Sequence, residues 1–410
     1  MNSTHTKIKI EEVKEGNVLS AKGFLAGGVH AGLRYAKKDI GIIVSDVTAN
    51  AAAVYTQSVV QAAPILVTKD SLSASGLLQA VVVNSACANA CTGEQGLNDA
   101  YEMRKTAADQ FQLQENQVAV ASTGVIGEYM DMEKVNKGIG QLNLSSEPAG
   151  AEAFEQAILT TDTVTKHCAY QACINGCLVT VGGAAKGSGM IHPNMATMLG
   201  FLTTDAAVSS EHLQLALSQA VDYTFNQITV DGDTSTNDMV LIMANGMSGI
   251  EPLSPEQEEW PVFVDLVSRV CEQLAKKIAR DGEGATKLIE VIVEGAHSKA
   301  NARKMAKTVV GSPLVKTAIY GCDANWGRII AAMGRSGVQF KPEHVGISFE
   351  GITMLDQGKP VAFSEEDAKA YLQKDTITIY VHLQEGNECG VAWGCDLTYD
   401  YVKINGSYRT

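Results

Sequence analysis

Short apolar runs rich in β-branched residues recur along this chain and constrain its fold more than any other feature. They are bounded by Gly, Asn or Asp, as buried strands usually are, and five of them are Ile40–Val44, Ala80–Val83, Val118–Ala121, Leu178–Val181 and Leu288–Val293. Strands do not alternate strictly with helices, because Leu178–Val181 is followed directly by the strand candidate Ala196–Thr203. We therefore expect an α/β (α+β) fold with mixed sheets layered with helices, rather than a doubly wound parallel sheet.

Helices and one alternating strand complete this prediction. Amphipathic periodicity predicts helices over Asn98–Phe111, Glu211–Asn226 and Glu256–Ala279. Ser364 and Asp367 form a capping box that predicts a helix through Ala368–Leu372. Thr376–Leu383 alternates apolar and polar residues, which is typical of a half-exposed, antiparallel strand.

Length, charge and cysteine content exclude several classes of protein. The 410 residues exceed the usual domain of about 100–200 residues, so we expect two halves or one large layered unit. A net charge of −14 without a basic block disfavours nucleic-acid binding. The polar start Met1–Glu12 lacks a secretory apolar segment, and no apolar run reaches the length of a membrane span. Nine scattered cysteines indicate a reducing compartment, so we expect a cytoplasmic protein.

The segment Gly182–Leu199 carries the most chemical information. It crowds glycines and small residues around one lysine and one threonine, so its backbone can approach a ligand closely. A phosphate-binding loop is excluded, because the order Lys186-Gly187-Ser188 differs from a Walker motif. Thr197 in this segment is considered next as a candidate nucleophile.

A threonine hydroxyl becomes a nucleophile when a base lies beside it. The most compact base is its own α-amine, which is exposed once the preceding peptide bond is cut. Thr197 follows the small residue Ala196. Its hydroxyl could attack the Ala196 carbonyl, form an ester, and release a new N-terminal threonine after hydrolysis. An ordinary Ala-Thr pair at the start of a strand is the competing interpretation from the residues alone.

Seven ordered motifs resemble the bacterial ornithine acetyltransferase family, also called glutamate N-acetyltransferase or arginine-biosynthesis bifunctional protein. The resemblance extends from Gly23 to Thr410. The motifs are Ile42–Asp46, Ala121–Gly127, Gly187–Leu199, Gly232–Asp238, Ser312–Ala318, Asn325–Ile329 and Ala392–Asn405.

This resemblance implies a self-cleaving enzyme. Cleavage between Ala196 and Thr197 would give an α chain of residues 1–196 and a β chain of residues 197–410, folded together as one unit. The family also implies an αββα sandwich related to self-processing peptidases, and an α2β2 heterotetramer. We therefore do not expect the cut to be a domain boundary.

The implied reaction moves acetyl from N-acetylornithine to glutamate in arginine biosynthesis. Thr197 attacks the acetyl carbonyl, ornithine leaves, and the glutamate amine then resolves the acetyl-threonine ester. By family analogy, the Thr123 hydroxyl and the Gly124 N–H stabilise the oxyanion. Lys186 is assigned to the substrate carboxylate and Glu283 to the δ-ammonium. Together with Thr197, the implied substrate-binding residues are Thr160, Lys186, Glu283, Asn405 and Thr410.

Two departures from the family pattern lie near these motifs. Ala86 and Cys87 replace a usual Gly-Asn pair, and Ala324 replaces a proline that is common there. We expect neither to touch the catalytic or binding residues, although the first could alter a nearby loop.

Histidine and cysteine residues are assigned structural roles. His192 is unnecessary as a base if the Thr197 amine serves. The pairs Cys87/Cys91 and Cys173/Cys177 lack further ligands for a tetrahedral metal site and are expected to be buried small hydrophobes. We therefore expect no metal and no cofactor.

Two rival functions remain open. An N-terminal-nucleophile amidohydrolase or aminopeptidase would let water resolve the acyl-enzyme, and a binding protein would never cleave itself. The use of acetyl-CoA as a second acetyl donor also remains open, because no CoA motif is legible.

Overall fold

A computed structural model describes residues 8–192 and 198–407. The strands among them are β1 (Ile10–Glu12), β2 (Phe24–Val29), β3 (Ile40–Tyr55), β4 (Leu77–Asn84), β5 (Val118–Ser122), β6 (Lys166–Ile174), β7 (Cys177–Lys186), β8 (Leu199–Thr204), β9 (Ile228–Thr229), β10 (Met239–Ala244), β11 (Leu288–Ala296), β12 (Gly346–Phe349), β13 (Ile352–Asp356), β14 (Lys359–Pro360), β15 (Thr376–His382) and β16 (Glu388–Cys395). The helices are α1 (Ala63–Ser75), α2 (Gly93–Phe111), α3 (Met132–Gly140), α4 (Pro148–Ala157), α5 (Ser210–Tyr223), α6 (Trp260–Arg280), α7 (Lys299–Val310), α8 (Pro313–Tyr320), α9 (Trp326–Gly334), α10 (Glu365–Leu372) and α11 (Tyr399–Asn405). None of the described helices is both long and apolar enough to span a membrane.

The chain divides into two compact units. Unit 1 comprises Met1–Gly187, Asn194–Asn226 and Thr234–Leu274. Unit 2 comprises Ser188–Pro193, Gln227–Asp233 and Ala275–Thr410. These boundaries do not coincide with the predicted division of the chain at residues 196 and 197.

Unit 1 is built on a mixed sheet in the order β1-β6-β7-β8-β10-β3-β4-β5, with β2 also paired to β3. β8 and β10 are parallel, as are β4 and β5, whereas β7 and β8 are antiparallel. Successive side chains of a strand point to opposite faces. On one face Ile42 packs with Met103 of α2, and on the other Ile43 packs with Phe154 of α4. The sheet is therefore buried on both faces.

Unit 2 is built on a second mixed sheet, in the order β14-β13-β12-β15-β11-β16-β9. Its core joins the alternate apolar residues of β11 and β15 to apolar residues of α7, α8, α9 and α10. The alternation predicted for Thr376–Leu383 is confirmed, with Ile377, Ile379 and Val381 buried. Its pairing was predicted only in part, because β15 is antiparallel to β12 but parallel to β11.

The expectation of an α/β (α+β) protein with mixed sheets is confirmed by these two sheets. All five apolar runs lie in strands, and Ser364 caps α10 by accepting a hydrogen bond from the Asp367 N–H. The expectation of full burial was wrong at Leu178, which is 49% exposed near the start of β7, and in β11, where Leu288 and Ile292 are only half-buried.

The predicted start of the long helix was also wrong. We expected it at Glu256, but α6 begins at Trp260, which places Pro261 in the first turn. Proline lacks an N–H and is tolerated there, whereas it would break a helix interior.

Candidate active site

The turn after β5 holds both residues predicted to stabilise the oxyanion. Parallel pairing of β4 and β5 places Ser122 beside Asn84, and the Ser122 hydroxyl donates to Asn84 Oδ1. The Thr123 N–H donates to the Asn84 carbonyl at 3.0 Å. Asn237 Nδ2 donates to the Ser122 carbonyl at 2.9 Å. Thr123 is therefore buried in a turn that is braced from two sides.

Gly124 occupies a backbone conformation and a space that favour glycine. Its φ is +137°, and a Cβ there would collide with the carbonyl of Ala86. The same carbonyl accepts from the Val125 N–H at 2.9 Å. Our expectation that the Ala86–Cys87 departure lies away from the oxyanion residues was therefore wrong. Ala86 itself has a φ of +84°, which is strained for a residue with a side chain.

Lys186 is the last residue of β7 and is 8% exposed. Its Nζ donates a hydrogen bond to Thr123 Oγ1 at 3.2 Å. A lysine ammonium has no acceptor capacity, so the Thr123 hydroxyl hydrogen is left to donate elsewhere. The structure thus brings together a predicted carboxylate-binding cation and a predicted oxyanion donor.

Thr160 lies in the same unit, shortly after α4. Its N–H donates to Asp162 Oδ2 at 3.0 Å, and its carbonyl accepts from the Arg34 guanidinium at 2.9 Å. The backbone of this predicted substrate-binding residue is therefore held from both sides.

Asp238 is a buried carboxyl group that the sequence analysis did not single out. It precedes β10, is 3% exposed, and its Oδ2 has no hydrogen-bond partner. Burial raises the pKa of Asp238 well above its usual value, although hydrogen bonds from Ser235 and the charge of Lys186 act in the opposite direction. This carboxyl group therefore favours the neutral, protonated form.

Unit 2 holds the other described residues predicted to bind substrate. Glu283 is 9% exposed, and its N–H donates to the Ser188 carbonyl at 2.9 Å. Asn405 Nδ2 donates to Glu283 Oε2 at 2.7 Å. Gly189 lies against the same carboxylate, which would collide with a Cβ at that position. Glu283 is thus held in place by the backbone carbonyl of Ser188 and by the side chain of Asn405.

Helix α11 carries Asn405 to this position. Thr398 caps the helix by accepting from the Asp400 N–H, and its hydroxyl donates to the Gly284 carbonyl at 2.8 Å. The chain end is therefore tied to the Glu283 loop as far as Asn405. The predicted cleavage and nucleophile residues Ala196 and Thr197, and the predicted binding residue Thr410, lie outside the described residues.

His192 lies in unit 2, with its Nδ1 2.9 Å from Thr229 Oγ1. Burial, with a smaller contribution from the charge of Lys307, lowers the pKa of His192 to about 4. A base this weak accepts a hydroxyl proton poorly at neutral pH. This agrees with the structural role that we assigned to it.

All nine cysteines are free. Cys87 is buried as expected, but Cys91 and Cys173 are exposed and Cys177 is half-buried. Cys173 and Cys177 flank the Asn175-Gly176 turn between β6 and β7, and a hairpin end leaves such side chains open to solvent. Within residues 8–192 and 198–407, no three His, Cys, Asp or Glu side chains are grouped so that they could hold a metal ion.

Sequence reasoning missed three of the polar residues that organise unit 1. Asn237 and Asp238 belong to the motif Gly232–Asp238, which we used only for the resemblance. Asp162 belongs to no motif, and its hydrogen bonds with Thr160, Lys166 and Gly187 reveal it.

Comparisons with known proteins place this chain in a family. The ArgJ family model matches residues 25–410. The arginine biosynthesis bifunctional protein ArgJ of Geobacillus kaustophilus is 61% identical over 410 residues, which is 100% of both chains. A solved structure of that protein from Bacillus halodurans is 55% identical, covering 46% of this chain and 100% of the solved chain, with a TM-score of 0.46. Ornithine acetyltransferase of Mycobacterium tuberculosis, solved with ornithine, is 34% identical with the same coverage and a TM-score of 0.43. The length of the family match and the identity over the whole chain show that this protein belongs to the ArgJ family.

Proposed function

We propose that this protein transfers acetyl from N-acetylornithine to glutamate, giving ornithine and N-acetylglutamate, through an acetyl ester on Thr197. Membership of the ArgJ family supports the reaction, because relatives that match the whole chain are named for arginine biosynthesis. The observation that carries the proposal is the buried hydrogen bond from Lys186 Nζ to Thr123 Oγ1. It joins a cation suited to a substrate carboxylate with a hydroxyl suited to an oxyanion.

Self-cleavage prepares the nucleophile in this proposal. The Thr197 hydroxyl attacks the Ala196 carbonyl, the peptide nitrogen leaves as the new α-amine, and water hydrolyses the resulting ester. The products are an α chain of residues 1–196 and a β chain of residues 197–410. The antiparallel pairing of β7 with β8 supports their staying together, because these strands lie on opposite sides of the cut.

Acetyl transfer then runs in two mirrored steps. The α-amine of Thr197 takes the hydroxyl proton as the oxygen attacks the acetyl carbonyl, and it returns a proton to the departing ornithine amine. The glutamate amine next attacks the ester, and the Thr197 hydroxyl is restored. The Thr123 hydroxyl and the Gly124 N–H stabilise the oxyanion in both steps.

Substrate recognition is divided between the two ends of the amino acid. Lys186 and Thr160 bind the α-carboxylate, while Glu283 accepts the δ-ammonium of ornithine. Asn405 holds the Glu283 carboxylate in place, as their 2.7 Å hydrogen bond suggests. Thr410 completes the binding residues. The reaction needs no cofactor, because Thr197 supplies both the nucleophile and the base.

The assembly is proposed from the family resemblance, and the location is proposed from the cysteines. We propose an α2β2 heterotetramer in the cytoplasm, where the free state of all nine cysteines would persist. Native mass spectrometry tests the assembly directly.

Product analysis separates the proposal from its nearest rival. Purified protein is given N-acetylornithine with and without glutamate, and N-acetylglutamate and free acetate are measured. We expect N-acetylglutamate to form with glutamate and little acetate to form without it. Equal release of acetate in both samples would instead favour an amidohydrolase. A third sample with acetyl-CoA and glutamate tests the second donor.

A further inference from the structure

Asp162 is a hub of hydrogen bonds in unit 1. It lies between α4 and β6 and is 3% exposed. Its Oδ1 accepts from Lys166 Nζ and from the Gly187 N–H, both at 2.7 Å. Its Oδ2 accepts from the Thr160 N–H at 3.0 Å. A single carboxylate thus receives one ammonium and two backbone donors.

The two backbone donors belong to segments that carry proposed substrate-binding residues. One is Thr160 itself, and the other is Gly187, which directly follows Lys186. The φ of Gly187 is +153°, so a glycine follows β7 in a conformation that other residues rarely adopt. Asp162 therefore fixes the end of the strand that carries Lys186 and the turn that carries Thr160.

The charges around Asp162 keep its carboxyl group ionised, so that it can accept these hydrogen bonds. Burial alone would raise the pKa of its carboxyl, but the charges of Lys186 and Lys166 and its hydrogen bonds lower that pKa below the usual value. Asp162 is therefore ionised at neutral pH. Asp162 forms a fully buried ion pair with Lys166, and the positive charge of Lys186 also acts on it.

We propose that Asp162 is a positioning residue for recognition of the substrate α-carboxylate. It acts through Thr160 and Lys186, whose backbones it locks in place, and this inference rests on the proposed function. Loss of the Asp162 carboxylate weakens the binding of amino acids that carry an α-carboxylate. It does not weaken the binding of ligands that lack one.

Ligand binding to the whole protein tests this with two related diamines. Ornithine and putrescine differ only in the α-carboxylate, and calorimetry measures both without requiring turnover. In Asp162→Asn we expect ornithine affinity to fall about 10- to 100-fold, the scale of a lost charge-assisted hydrogen bond. Putrescine affinity should change less than about threefold, a difference under 1 kcal/mol. Equal weakening of both ligands would overturn the inference, because a general loss of structure affects them alike.

Two further variants separate a loss of positioning from a loss of stability. Asp162→Asn removes the carboxylate with which Lys166 Nζ forms its ion pair, so Asp162→Asn/Lys166→Gln removes both charges and is measured if the single variant folds poorly. It should recover thermal stability without recovering ornithine affinity, and recovery of both would contradict a positioning role. Asp205→Asn is the matched control, because Asp205 is equally buried in unit 1 and also accepts from two backbone N–H groups, those of Thr180 and Lys22. It should leave the ratio of the two affinities unchanged.

An acetyl-transfer assay on the unaltered protein separates this inference from the proposed function. Absence of N-acetylglutamate formation would refute the function itself. Normal transfer, combined with equal weakening of ornithine and putrescine in Asp162→Asn, would refute only the role of Asp162.

Discussion

Lys186 and Leu199 face each other as paired residues of the antiparallel strands β7 and β8. The proposed cleavage position lies in the connection between them. β8 also pairs with β10, and β10 pairs with β3, so strands from both sides of the cut interleave in one sheet. Separating the two chains would therefore break the backbone hydrogen bonds between β7 and β8 and those between β10 and β3.

We predict that the α and β chains remain associated after cleavage. They should elute together in gel filtration under native conditions and unfold in a single transition, because the core of unit 1 needs strands from both. Denaturant should be required to separate them. Elution of two independent folded chains in native buffer would contradict the interleaved sheet.

Removal of the Thr123 hydroxyl should slow acetyl transfer. Thr123→Ala deletes the group that Lys186 holds at 3.2 Å, and we expect kcat to fall about 10²–10³-fold, as for other oxyanion donors. Thr123→Ser keeps the oxygen and should lose less than about tenfold in kcat. Steady-state kinetics at saturating N-acetylornithine measure both, and an unchanged kcat in Thr123→Ala would remove the residue from the mechanism.

A small change at Gly189 should alter the preference between the two substrates. In Gly189→Ala the new Cβ displaces the Glu283 carboxylate, which is proposed to bind the ornithine δ-ammonium. We expect KM for N-acetylornithine to rise about tenfold or more, the cost of weakening one charged hydrogen bond, while KM for glutamate changes far less. Gly334→Ala is the control, since a Cβ there meets no atom within 4 Å. A parallel rise in both KM values would argue against this role for Glu283.

Asp238 should make stability depend on pH in a specific direction. Its pKa is raised in the folded protein, so the folded state keeps a proton that the unfolded chain loses above its ordinary carboxyl pKa of 3.8. This contribution to stability is complete below that value and is lost as pH rises through the folded pKa. Asp238→Asn cannot lose the proton, so its advantage in Tm over the unaltered protein should grow from pH 4 to pH 8 and reach at least about 2 °C. Thermal unfolding across this range checks it, and an advantage that is constant or shrinks would show that Asp238 is not buried in neutral form.

The elements that the sequence predicted well are those in which local pattern and tertiary structure agree. The β-branched runs became strands, and Ser364 capped its helix. β3 was predicted only as far as Val44 but continues to Tyr55. Its second part contains Ala51–Ala53, whose alanines favour helix, and pairing with β10 overrides that preference.

Some features carried a signal that we did not use. Asn175 and Gly176 both have positive φ and form the two-residue turn between β6 and β7, which an Asn-Gly pair predicts. Pro261 likewise marked the start of α6. The roles of Asp162 and Asp238 could not be predicted in this way, because they depend on the burial of each carboxyl group in the folded chain.

The central claim concerns the hydroxyl of Thr197, and mass spectrometry combined with an acetyl-transfer assay on Thr197→Ala tests it most directly. We predict that the unaltered protein yields two chains beginning at Met1 and Thr197, whereas the variant remains one chain of 43.5 kDa and forms no N-acetylglutamate. An unaltered protein that transfers acetyl normally as one unbroken chain, or a variant that keeps full activity, would contradict the account.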